Sequence, residues 1–124
     1  MKMRLDAAGS LIQTLSVLKE NKMPFKTVYK LTKLMESAET QMKFYNDQVN
    51  KILNEYIEKD ETGNFISEGT AFKIKEGLTE EANSKYDELN TLLVDYADVT
   101  FDIEELENLN LTMTETHILM PFLN

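Results

Sequence analysis

At 124 residues and 14.3 kDa, with 42% hydrophobic residues, the chain is sized for a single domain over residues 1–124 with a modest core, and no second independent domain is expected within it. It has no cysteine, so a disulfide framework and a thiolate metal site are excluded too. The net charge of −9 is lopsided: residues 1–59 carry ten Lys/Arg against seven Asp/Glu, and residues 60–124 carry three Lys against fifteen acids. No Lys or Arg follows Lys85, which disfavours direct nucleic-acid binding by the C-terminal half.

The predicted elements begin with Met1, Met3 and Leu5 alternating with Lys2 and Arg4, the period of a short strand. Leu11, Ile12, Leu15 and Leu18 then mark a short amphipathic helix, capped by Asp6 or Ser10 and ending by Asn21. This opening lacks the unbroken apolar run of a signal peptide, and no stretch approaches the roughly 20 apolar residues of a membrane span. The expectation is a soluble, intracellular chain with no membrane contact.

Between Pro24 and Glu58, Val28, Leu31, Met35, Ala38, Met42, Tyr45, Val49, Ile52 and Tyr56 recur at spacings of three and four, the heptad seam of a coiled-coil-like helix. Such a helix is about 50 Å long, more than the width of a compact domain of this size, so part of it is expected to protrude or to be covered by partners. Met35, Met42, Tyr45 and Tyr56 are adaptable or amphipathic, and with Val49 of the same seam they are read either as core or as a partner-binding face.

The oxygen-rich run Asp60-Glu61-Thr62-Gly63-Asn64 invites comparison with a calcium loop. That loop needs a glycine at its sixth position and a glutamate at its twelfth; counted from Asp60, these are Phe65 and Ala71. The run instead has turn chemistry, with Asp60 able to bond the backbone it opens and Gly63 or Asn64 able to take positive φ. Beyond it, Phe65, Phe72 and Ile74 with Gly69 between them predict a small β-hairpin.

Leu78 to Tyr96 carries Ala82, Tyr86, Leu89, Leu93 and Tyr96 at helical spacing, opened by Thr79 as cap with Glu80 and Glu81 in the first turn. This helix is expected to return antiparallel along the long one. Val99, Phe101 and Ile103 alternate with Thr100 and Asp102, predicting a strand whose natural partner is the basic-faced Met1–Leu5 segment. A last helical turn or two is opened by Thr112 or Thr114 and stopped before Pro121. The fold expected is mainly α: a long antiparallel helical hairpin, a shorter N-terminal helix, and a small β-hairpin or two-stranded β element.

Residues that carry chemistry are sparse. His117 is the only histidine, with Glu115 and Thr114 merely its sequence neighbours, the serines have no nucleophile-elbow context, and four scattered glycines build no phosphate loop. The expectation is a non-enzymatic protein without catalytic residues, metal or cofactor. The densest charge is Asp95, Asp98, Asp102, Glu104, Glu105 and Glu107, read either as a solvated face or as a surface that imitates phosphate spacing and meets a basic groove.

Three segments, "KMPFKTVYKLTKLMESAETQMKFYNDQVNKILNEYIEKDETGN", "ANSKYDELNTLLVDYADVTFDIEEL" and "LNLTMTETHILMPFLN", together resemble a group of small uncharacterised helical proteins encoded by tailed phages and prophages. The likeness runs through Met23-Pro24, Asp60 to Asn64, Leu92-Leu93, Val99 to Ile103, Leu111-Thr112 and Pro121-Phe122, with Met23 where the group usually has leucine. The resemblance implies a phage origin and a binding role. One expected form is an inhibitor or modulator of a host defence or nucleic-acid-binding factor, acting in the host cytoplasm through the acidic half. The other is a virion or assembly component, a head or tail accessory or chaperone, acting through helical self-association as a homo-oligomer.

Overall fold

The structure, a computed structural model, describes residues 1–124 and is organised by one helix, α2 (Phe25–Tyr56), whose 32 residues span about 48 Å. Pro24 precedes its first turn in an extended conformation, and its carbonyl accepts from the Thr27 and Val28 N–H groups. Two short helices cover α2 end to end, both antiparallel to it. Helix α3 (Thr79–Thr91) lies on the second half, where Tyr45 meets Asn90 and Tyr56 meets Glu81. Helix α1 (Ala7–Leu18) lies on the first half, with Gly9 against Met42 and Leu18 near Leu31. A Cβ at Gly9 would stand 3.0 Å from the Met42 methyl group, so the glycine sets how closely α1 approaches.

The two short helices are joined where they meet. The Leu5 N–H donates to the Leu92 carbonyl at 2.7 Å, and strand β1 (Lys2–Arg4) pairs antiparallel with β4 (Leu93–Asp95) in the register Lys2–Asp95, Met3–Val94, Arg4–Leu93. The Tyr96 hydroxyl closes the junction by donating to the Arg4 carbonyl at 2.9 Å. From Leu31 to Tyr56 one side of α2 is therefore covered within the chain, where the sequence left a protrusion or a partner as the choices.

At the far end of α2 the chain folds into a β tip. Strands β2 (Ser67–Glu68) and β3 (Ala71–Phe72) form the expected hairpin around Gly69, which sits at φ +63. Bridges Ile57–Ile74 and Lys59–Phe65 extend the pairing back to the end of α2, and Phe65 packs edge-to-face on Phe72 with centroids 5.7 Å apart.

The return segment from Asp95 to Glu105 runs back along a second face of α2. Gln41 Nε2 donates to the Asp95 carbonyl at 2.8 Å, Ser37 Oγ accepts from the Ala97 N–H at 3.0 Å, and Lys30 lies 5.5 Å from the centre of the Phe101 ring. Helices α4 (Ile103–Glu107) and α5 (Met113–Leu119) then close the head, α5 opened by a capping box in which Thr112 and Glu115 satisfy each other's backbone N–H. A 3₁₀ turn, Met120–Phe122, follows. The core joins Leu11, Leu15 and Leu18 to Leu31, Leu34 and Ala38, with Phe101, Leu119 and Phe122 beneath.

Four local expectations are corrected. Val99–Ile103 is not a strand paired with Met1–Leu5: Phe101 makes one parallel bridge to Leu123, Ile103 opens α4, and β4 takes the place beside β1. The second helix stops at Thr91 rather than Tyr96, because Leu93 to Asp95 gain ladder bonds with β1. Neither Thr79 nor Asp6 caps through its side chain; Thr79 is the first residue of α3, and Ser10 lies inside α1. The buried stripe of the first half of α2 is Thr27, Leu31, Leu34 and Ala38, which leaves Val28 and Met35 off-centre because the return segment packs on the other flank.

Candidate functional site

The side chains of the long seam are spent unevenly. Tyr56 is buried and donates to Glu81 Oε1 at 2.9 Å; Tyr45 donates to Asn90 Oδ1 at 2.8 Å, with the Tyr86 hydroxyl 3.1 Å away. Burial, then the neighbouring hydroxyl or carboxylate, pushes both phenols up to about 12. Val49 is half-buried, and Met42 packs its methyl group against Gly9. Tyr45, Tyr56 and Met42 thus tie α2 to the chain's own α3 and α1. Met35 packs against the core on one side and lines a groove on the other.

That groove, of about 380 Å³, lies between the C-terminal end of α1 and the first half of α2, walled by Leu15, Leu18, Met23, Val28, Leu31 and Met35. Its rim carries Lys19, just past the end of α1, and Glu36 and Glu39 from α2. Along α2 its wall continues into open surface. Phe25 is 85% exposed, Val28 40% and Tyr29 57%, and their spacing of three and four puts them on one side of the helix. Lys33 lies 5.5 Å from the Tyr29 ring centre and pairs with Glu36 at 3.6 Å. The heptad spacing puts Val28 and Met35 in the seam, with Met35 open to either core or partner contact, and takes no account of Phe25 and Tyr29. The signal that finds them is the pair of aromatics at the very start of a helix, outside the heptad register.

The acidic residues are strung along the return segment and bound to different parts of the fold. Asp95 pairs with Lys2 at 3.2 Å, and Asp98 accepts from the Met1 ammonium at 2.6 Å, which holds its carboxyl below the ordinary carboxylate range. Asp102 accepts from Asn124 Nδ2 at 2.8 Å. Glu105, with its side chain only 14% exposed, receives Lys30 Nζ at 2.9 and 3.0 Å, and Lys26 approaches at 3.9 Å. Glu104 and Glu107 are exposed and make no ion pair, and Glu107 lines a shallow groove of about 200 Å³ with Ile103, Leu106 and Leu111. No three carboxylate or histidine groups stand close enough together to hold a metal ion.

Asp60 is consumed by its turn: Oδ1 accepts from the Thr62 hydroxyl at 2.6 Å and from the N–H groups of Thr62 and Asn64 at 2.9 and 3.0 Å. His117 is exposed beside Ser10, Thr114 and Pro121. No helix is long and apolar enough to cross a membrane. No protein-family model matches the chain, and no curated protein or solved structure is significantly similar to it.

Proposed function

We propose that this chain is a non-enzymatic protein-binding module whose docking surface is the α1–α2 groove together with Phe25 and Tyr29 at its mouth. The observation that carries this reading is the 85% exposure of Phe25 beside an apolar groove, on a helix braced on two sides. Contiguous apolar surface on a rigid element marks an interaction site, whereas Met113, also exposed, sits on a helix of seven residues and Ile103 on one of five. With the resemblance to small phage proteins, the setting is a virion or assembly component.

A second reading rests on the other end of the charge distribution. Glu104 and Glu107 are unpaired beside the 64% exposed Ile103, and together they offer an acidic, partly apolar face to a basic partner. In this form the protein is an inhibitor of a host nucleic-acid-handling or defence factor in the host cytoplasm.

Capture of partners from host lysate and from phage particles, washed at about 0.1 M and about 0.5 M salt, separates the two. Head or tail proteins retained at both salts and lost with Phe25→Ser support the groove. A basic host protein captured only at low salt, and lost when Glu104 and Glu107 become Gln, replaces it with the acidic-face reading.

A further inference from the structure

Methionine is a residue of packed interiors, yet Met113 buries almost nothing: it is 89% exposed, at the start of α5. Two more exposed residues follow it along the helix, His117 and Met120, the latter 55% exposed. Spacings of four and three on a spiral of 3.6 residues per turn keep the three side chains within an arc of about 60°. Met120 opens the 3₁₀ turn, but its backbone is still right-handed helical (φ −52, ψ −40) and its N–H reaches the His117 and Thr116 carbonyls, so the stripe is unbroken through it. Leu119 and Phe122, on the opposite side, are fully buried.

The side-chain hydrogen bonds of α5 run among Thr112, Glu115 and Thr116 and leave the His117 ring free. An imidazole flanked by two thioethers is a soft donor set. Thioethers are poor ligands for Zn(II), Mg(II) and Ca(II), which take thiolate, imidazole, carboxylate or carbonyl groups, and they select Cu(I), whose filled d shell accepts two or three soft donors without a rigid cage. Neighbours at i, i+3 and i, i+4 have Cβ atoms about 5–6 Å apart, so the long, flexible methionine side chains can close from both sides on an ion held by the ring. No three carboxylate or imidazole groups converge to offer a harder alternative. We infer that Met113, His117 and Met120 form a surface site for a soft monovalent ion, Cu(I) or its redox-inert counterpart Ag(I), independently of the α1–α2 groove.

Titration of the full chain with Ag(I) nitrate in chloride-free buffer, followed by NMR of the methionine methyl groups and the imidazole ring, tests it. Seven methionines and one histidine supply the probes. The His117 ring and the Met113 and Met120 methyl signals should move together and saturate at about one ion per chain, while Met23, Met35 and Met42, which lie at the α1–α2 interface, stay in place. Met113→Leu and Met120→Leu keep side-chain volume and remove the sulfur from exposed positions, so circular dichroism should match the parent. Each should weaken Ag(I) binding at least about threefold, and the two combined with His117→Gln at least about thirtyfold. The absence of a saturable shift at His117, shifts spread evenly over all methionine methyl groups, or a Met113→Leu/Met120→Leu double variant that binds Ag(I) as the parent does overturns the inference. Zn(II) that occupies His117 as tightly as Ag(I) overturns it as well.

Discussion

Glu105 and Glu104 are neighbours in the chain and opposites in the structure. Glu105 is largely covered and holds Lys30, itself only 19% exposed, in a two-oxygen grip, whereas Glu104 faces solvent with no ion pair. Removing one partner of a covered pair leaves the other charge poorly solvated, which costs more than the pair contributes. Glu105→Ala should therefore lower the unfolding free energy by about 1–3 kcal/mol, and Glu104→Ala should change it by less than about 0.5 kcal/mol, both read from urea denaturation. Equal small losses would mean that water screens the Lys30–Glu105 pair. A run of acids in a sequence carries no mark of which one turns inward, since that depends on a lysine placed far away along α2.

Among the elements, the turn after α2 was the most legible, because Asp60, Thr62, Gly63 and Asn64 act over a few residues. Asp60 Oδ1 gathers its three donors as the turn chemistry requires, and Gly63 takes φ +86. The Thr62 hydroxyl and then the Asn64 and Thr62 N–H groups hold the Asp60 carboxyl below its ordinary value. A carboxyl with a lowered folded pKa stabilises the fold fully above its unfolded pKa and loses that contribution as pH falls through the folded one. The stability gap between the parent and Asp60→Ala should thus be widest at neutral pH, narrow below the ordinary carboxylate range, and lose its charge-dependent share once Asp60 is protonated. A gap that stays constant across this window would show that the turn does not use the charge. The Val99–Ile103 segment failed as a strand for the complementary reason. Alternation is a local signal, but pairing is a competition, and Leu93–Asp95 follows directly on the helix that delivers it to β1.

Across the whole molecule, burial is concentrated at one end. The main core gathers on the first half of α2, between α1 and the C-terminal segment, while the second half is sealed chiefly by Tyr56, Ile57, Ala82 and Leu89. Local opening is easiest where few apolar side chains are buried. In native-state hydrogen exchange, amides of Leu31 to Ala38 should be the last in α2 to exchange and those of Gln48 to Leu53 should go earlier; uniform protection would mean that the hairpin and the head unfold as one unit. The sequence by itself determined the long helix, its antiparallel return, the N-terminal helix, the β tip and a threonine-capped last helix, because periodicity, turn residues and caps act within a few positions, while the structure chose Thr112 over Thr114. Only the tertiary structure decided which face of α2 is covered. The bonds that lay the return segment along it come from Ser37, Gln41 and Lys30, polar residues indistinguishable from a solvated face in sequence, and by occupying that flank they leave Phe25, Val28 and Tyr29 outside.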